Sequence, residues 1–134
     1  MTRIRPADRG FTLVELVVIV AVIGLLAAIA VPVYLGYQEE ARGSAVQSAL
    51  AHAKLGIIVA TAEEDPVSLD DDRIAEILAA HGDAAITLGR TGDADGWCLW
   101  GEHVAVTSTW AISDSRGIVE NGTCAPSGVL VPPG

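Results

Sequence analysis

Apolar side chains run almost unbroken near the N-terminus and then thin into a helical stripe. From Leu16 to Gln38 no side chain carries a charge, and a helix needs ~20 such residues to cross a bilayer. Glu39, Glu40 and Arg42 then mark a return to water. Beyond them Val46, Leu50, Ala53 and Ile57 recur at helical spacing, with Ala49 beside them. Ser44, Gln47, Ser48, His52 and Lys54 fill the other positions. The pattern predicts one helix to about Ala62, apolar all round over 11–38 and amphipathic over 39–62. Gly36, Gly43 and Gly56 weaken it, so packing must hold it. Asp65-Pro66 ends it.

Residues 63–134 read as a small α+β head. Ser68 or Asp70 caps a short helix whose apolar face is Ile74, Ile77 and Leu78, and Gly82 stops it. Strand-like segments follow at Ala85–Leu88, Trp97–Glu102, Val104–Ile112 (with a turn inside it) and Gly117–Glu120. Asn121-Gly122 forms a turn, and Pro126, Pro132 and Pro133 are expected to keep the tail irregular. So small a head rarely stabilises itself by core burial alone. The apolar stripe of the long helix is the layer it lacks. Trp97, Trp100 and Trp110 suit the core of a small sheet better than an adhesive patch.

Charge sharpens the division. Arg3, Arg5 and Arg9 face a single acid, Asp8, in the first ten residues, yet the net charge of the chain is −9. The basic flank keeps the N-terminus in the cytoplasm and sends the rest outward. The acidic body repels phosphate backbones, so no direct nucleic-acid partner is expected. The apolar run itself is open to three readings: a cleaved signal peptide ending at Ala28-Ile29-Ala30, a plain anchor, or a more specialised segment. Glu15 favours the third. An ionisable residue within a membrane segment is costly and points to function.

Little chemistry is visible elsewhere. G-x-S-x-G, H-E-x-x-H and a phosphate loop with lysine are all missing from the sequence. No enzyme activity and no cofactor are expected. His52, His81 and His103 are dispersed. The two cysteines, Cys98 and Cys124, form either a disulfide in an oxidising compartment or two unrelated buried thiols. Thr91 to Gly96 resembles the start of a calcium loop, with Asp93, Asp95 and Glu102 as candidate ligands. Thr91 at the first position and Glu102 within a strand favour a hydrated acidic turn, so no metal is expected there. Asn121-Gly122-Thr123 matches a glycosylation sequon, a short pattern that arises by chance.

The sequence Gly10-Phe11-Thr12-Leu13-Val14-Glu15, the apolar run, Gly24 and Pro32 together resemble the type IV pilins and the type II secretion pseudopilins. The resemblance spans residues 1 to about 40. More loosely, Trp97-Cys98, Ser113-Asp114 and Gly122-Thr123-Cys124 resemble the disulfide-bounded end of pilins from Gram-positive bacteria. The resemblance implies a leader, 1–10, removed by a prepilin peptidase between Gly10 and Phe11, with methylation of the new N-terminus. It implies a lollipop fold: a long helix (11–38 in membrane or filament core, 39–62 amphipathic) packed on an antiparallel sheet within the head, 63–134. The function implied is that of a structural subunit of an extracellular filament, with other pilins, membrane lipid and the assembly machinery as partners.

Physical chemistry supplies roles for the matching residues. Cleavage exposes an α-amino group on Phe11, with Glu15 only ~6 Å along the axis at 1.5 Å per residue. Both charges can be buried if they pair, within one subunit or between neighbours. Gly24 and Pro32 are points where the helix can bend on leaving lipid. The alternatives are a pseudopilin of a secretion or DNA-uptake system and, from another class, a secreted or anchored binding protein processed at Ala30.

Overall fold

The computed structural model describes residues 11–63, 70–93 and 96–134. The leader positions Arg3, Arg5, Asp8, Arg9 and Gly10, the helix stop Asp65-Pro66, the alternative cap Ser68 and the candidate ligand Asp95 lie outside the described residues. Helix α1 runs from Leu13 to Glu63 and contains Pro32. The chain divides into two compact units, one ending at Tyr37 and one spanning Gln38–Gly134.

In the first unit α1 presents apolar side chains in every direction. Leu13, Val17, Val20, Leu25 and Ile29 are all exposed. A helix with no polar face has nowhere to hide in water and suits lipid or the inside of an assembly. It is long and apolar enough to cross a membrane.

In the second unit the helical stripe becomes the core. Val46, Leu50 and Ala53 are fully buried and Ile57 nearly so. They pack with Ile86, Leu99, Trp110 and Ile112 of a four-stranded antiparallel sheet and with Ile74 of a second helix. Two of the glycines that weaken α1 serve this packing. A Cβ on Gly43 would sit 2.8 Å from the Trp110 indole, and one on Gly56 would sit 3.0 Å from Ile77. The helix gives up propensity at these points to gain close contact.

Helix α2 spans Asp71–His81. Its cap is Asp70, whose carboxylate accepts from the Arg73 N–H at 2.8 Å, and Gly82 ends it by donating to the Leu78 carbonyl. Asp83 opens the next strand by accepting from the Ala85 and Ile86 N–H groups. These backbone bonds, first that from Ala85, hold its carboxyl below the usual range. Its support of this turn therefore persists through mild acid and fades only as pH falls through that lowered value.

The sheet is a meander of β1 (Ile86–Gly92), β2 (Trp97–His103), β3 (Thr109–Ser113) and β4 (Val119–Glu120), in that order. The chain turns after His103, as the break within 104–112 required, and Asn121 takes a positive φ of 54° in the turn after β4. Two expectations are corrected. Strand β1 does not stop at Leu88 but pairs through to Gly92, which lies opposite Trp97. Gly89 breaks the sequence pattern there because its partner, Trp100, lays its indole where a Cβ would be. The tail is not wholly irregular either. Strands β5 (Thr123–Cys124) and β6 (Leu130–Val131) form a small hairpin about a turn closed by the Gly128 N–H on the Ala125 carbonyl. Leu130 packs with Cys98 and Ala111, so this hairpin covers the sheet face opposite α1.

Lys54, one of the polar residues between the apolar positions of α1, ties the helix to the β3–β4 turn. Its ammonium donates to the carbonyls of Ser113 at 2.6 Å, Asp114 at 3.2 Å and Arg116 at 3.4 Å, and lies 5.9 Å from the Trp97 ring. Hydrogen bonds from a charged donor contribute about 1.5–3 kcal/mol. Lys54→Met, which keeps the stem and removes the charge, should destabilise the head by about that amount in denaturant titration. A change below about 0.5 kcal/mol would remove this role from Lys54.

Candidate assembly site

The candidate site lies at the start of the apolar helix. Thr12 precedes the first helical residue, Leu13. Its backbone N–H and its hydroxyl donate to Glu15 Oε2 at 3.1 and 2.8 Å, and the Glu15 N–H donates back to Thr12 Oγ1 at 3.3 Å. This is a capping box: the side chains of the cap residue and of the third helical residue satisfy each other's backbone donors. It gives the helix a defined start just beyond Phe11. A carboxylate at the first turn also meets the positive end of the helix dipole.

The box also solves a solvation problem. Glu15 stands among exposed Phe11, Val14 and Leu16. A carboxylate with two hydrogen-bond donors attached enters a low-dielectric medium at less cost than a bare one. Only one of its oxygens is engaged by Thr12, so the other retains acceptor capacity for a cation. Thr12 went unassigned in the sequence reading, although threonine three residues before glutamate at the head of an apolar run is a recognisable signal.

Gly24 and Pro32, the candidate bending points, both lie inside the unbroken helix, and a Cβ on Gly24 would meet nothing within 4 Å. Ala28-Ile29-Ala30, the alternative cleavage site, is also helical.

Cys98 and Cys124 are joined in a disulfide, with Cα atoms 5.6 Å apart. The bond links β2 to β5 and so fastens the terminal hairpin to the sheet. Of the candidate calcium ligands among the described residues, Asp93 and Glu102 lie at opposite ends of the β1–β2 hairpin. Thr91 is paired with Cys98 in the β1–β2 hairpin, whereas Glu102 is paired with Thr87 at its far end. Four residues of strand separate Glu102 from Cys98, roughly 13 Å along the sheet. Asp93 sits in that turn, its N–H donating to the Gly96 carbonyl. Of the tryptophans, Trp110 is core, Trp97 packs against the core and Trp100 lies half-buried on the opposite face.

Residues 5–31 match the family described as the prokaryotic N-terminal methylation motif. The chain is 44% identical over 50 residues to a type IV major pilin protein, PilA, of Myxococcus xanthus, an alignment covering 37% of this chain and 23% of the relative. It is 42% identical over 57 residues to a type IV major alpha-pilin of Moraxella bovis, covering 42% and 36%. It is 39% identical over 78 residues to the fimbrial protein EcpB of Eikenella corrodens, covering 50% and 48%. The chain thus spans less than half the length of each of these relatives. The homologues are Gram-negative pilins, not pilins of the Gram-positive type that the tail resembles.

Proposed function

We propose that the chain, which carries the N-terminal methylation motif over residues 5–31, is a type IV pilin and a structural subunit of an extracellular pilus. The observation that carries this reading is the capped, wholly apolar first part of α1, whose side chains lie exposed beyond a single engaged carboxylate. Such a surface is soluble nowhere in water. It resides first in the membrane, with the basic N-terminus cytoplasmic and the head outside. It then transfers to the core of a filament, where neighbouring copies or other pilins bury the same surface.

In this reading a prepilin peptidase cuts between Gly10 and Phe11 and the new α-amino group is methylated. That amine stays cationic near neutral pH. Glu15 offers it the oxygen that Thr12 leaves unused. The pair forms between subunits as one helix docks beside another, and docking out of step leaves both charges unpaired. Gly24 and Pro32 allow the helix to adjust on leaving lipid. Pilus takes precedence over pseudopilin because two of the three relatives carry the name major pilin.

Substituting the residue before the cut tests the processing step that this role requires. A protease acting at the junction needs close approach to the backbone, which glycine permits. Gly10→Leu should leave the full-length chain in the membrane and no filaments on the cell. Efficient loss of the first ten residues in that strain, read by intact mass, would overturn the proposed cleavage.

A further inference from the structure

Between the second half of α1 and helix α2 lies a groove of about 440 Å³. His52 of α1 and His81, the last residue of α2, both line it, with ring centroids 6.0 Å apart and planes 29° from parallel. Both side chains are exposed. Among the described residues each imidazole has the other ring as its partner, with no hydrogen bond or ion pair. His103 differs, since its Nδ1 accepts from the Ala105 N–H at 3.0 Å. Gly56, one turn after His52, lets α2 pack close at this point, since a Cβ there would lie 3.0 Å from the Ile77 side chain. Two imidazoles from two separate helices thus stand together on an exposed surface. Arg73 and Glu76 on the same wall form an ion pair with each other at 2.6 Å.

We propose that His52 and His81 form a two-histidine site for a divalent transition-metal ion, with zinc as the fitting member of the class. Imidazole suits zinc, copper and nickel, and zinc takes a tetrahedral shell without further demands on geometry. Metal–nitrogen bonds of about 2.0–2.1 Å place two bridged ring centroids about 5 Å apart in a tetrahedral shell and about 6.4 Å apart in a linear one. The observed 6.0 Å lies nearer the linear limit, so a tetrahedral shell requires the two rings to approach by about 1 Å. Both rings are exposed, which leaves their side-chain torsions room to turn one nitrogen of each toward the gap. No third His, Cys, Asp or Glu completes a three-ligand set among the described residues, so water fills the remaining positions. The bound ion acts as a clamp. It joins α2, which is otherwise fixed by its apolar face and by Arg90 on Asp71 at 2.8 Å, to the helix that forms the core.

The test uses the full, untagged chain in detergent micelles at neutral pH, freed of metal and titrated with zinc chloride by calorimetry. Wild type is expected to bind one equivalent saturably, with a rise in melting temperature. His52→Gln and His81→Gln should each weaken binding by about tenfold or more, because losing one ligand forfeits the effective concentration of the other. His103→Gln should bind as wild type. Amide exchange within 71–81 should slow on adding zinc to wild type and not to either variant. Absence of a saturable equivalent in wild type overturns the site. So does wild-type affinity in either His52→Gln or His81→Gln.

Discussion

Glu15→Val should abolish surface filaments while leaving the protein processed and in the membrane. Valine suits the apolar run, so insertion and retention lose nothing. Assembly loses the one acid that the first turns of the helix offer to the α-amino group of Phe11. Hydrogen bonds to charged groups contribute about 1.5–3 kcal/mol, so each subunit contact should weaken by about 10- to 100-fold. A polymer multiplies that loss over its contacts. Two companions separate charge from capping. Glu15→Gln keeps the capping box, since glutamine serves in that position, and loses only the charge, so its filament yield should fall between. Thr12→Val keeps the charge and loses the cap, at a cost of about 1 kcal/mol to the helix start, and should assemble more filaments than Glu15→Val. Electron microscopy of sheared fractions, beside immunoblots of membranes, measures all three. Normal filaments from Glu15→Val at equal membrane levels would refute the assembly role.

Replacing both Cys98 and Cys124 by alanine should produce a large loss of head stability. The bridge closes a segment with a sequence separation of 26, which the chain-entropy account values at roughly 3–4 kcal/mol. At about 4–8 °C per kcal/mol for a unit of this size, the melting temperature should fall by about 10 °C or more. Strands β5 and β6 have two residues each and cannot hold the sheet face without the tether. Proteolysis should therefore begin in the segment after Asn121. A melting temperature lowered by less than about 2 °C would show that Leu130, packed on Ala111, secures the tail by itself. Thiol labelling of unfolded, unreduced wild type should find no free cysteine. Such a bond fits the head outside the cell that the proposed function requires.

The long helix, the amphipathic stripe, α2 with Asp70 among its two candidate caps and Gly82 at its end, and the presence of the first four strands were legible from periodicity and capping residues. These are local signals, and the local choices agree with the fold. What escaped depended on partners distant in sequence. Strand β1 runs past Gly89 because Trp100 lies across it, which the glycine alone argues against. The β5–β6 hairpin is too short for any period and exists because Cys124 is bonded to Cys98. Lys54 belongs with Ser113, Asp114 and Arg116, nearly half the chain away, so its position on a polar face disguised its role. His52 and His81 meet only when α2 folds onto Gly56. Within the assembly site the reverse held. Glu15 stood out as a charge in an apolar run, and that prominence hid its local pairing with Thr12.

The mass of the mature chain tests the account most directly. Filaments sheared from cells that make this protein should yield a chain beginning at Phe11, with one methyl group on its α-nitrogen, as measured by intact mass and N-terminal fragmentation. That start places Thr12 and Glu15 at the end of the helix, with the amine they are argued to serve. A mature chain beginning at Val31 would remove Glu15 and the apolar helix start altogether, and a filament chain retaining Met1 would leave no free amine at Phe11. Either result would contradict assembly through this site.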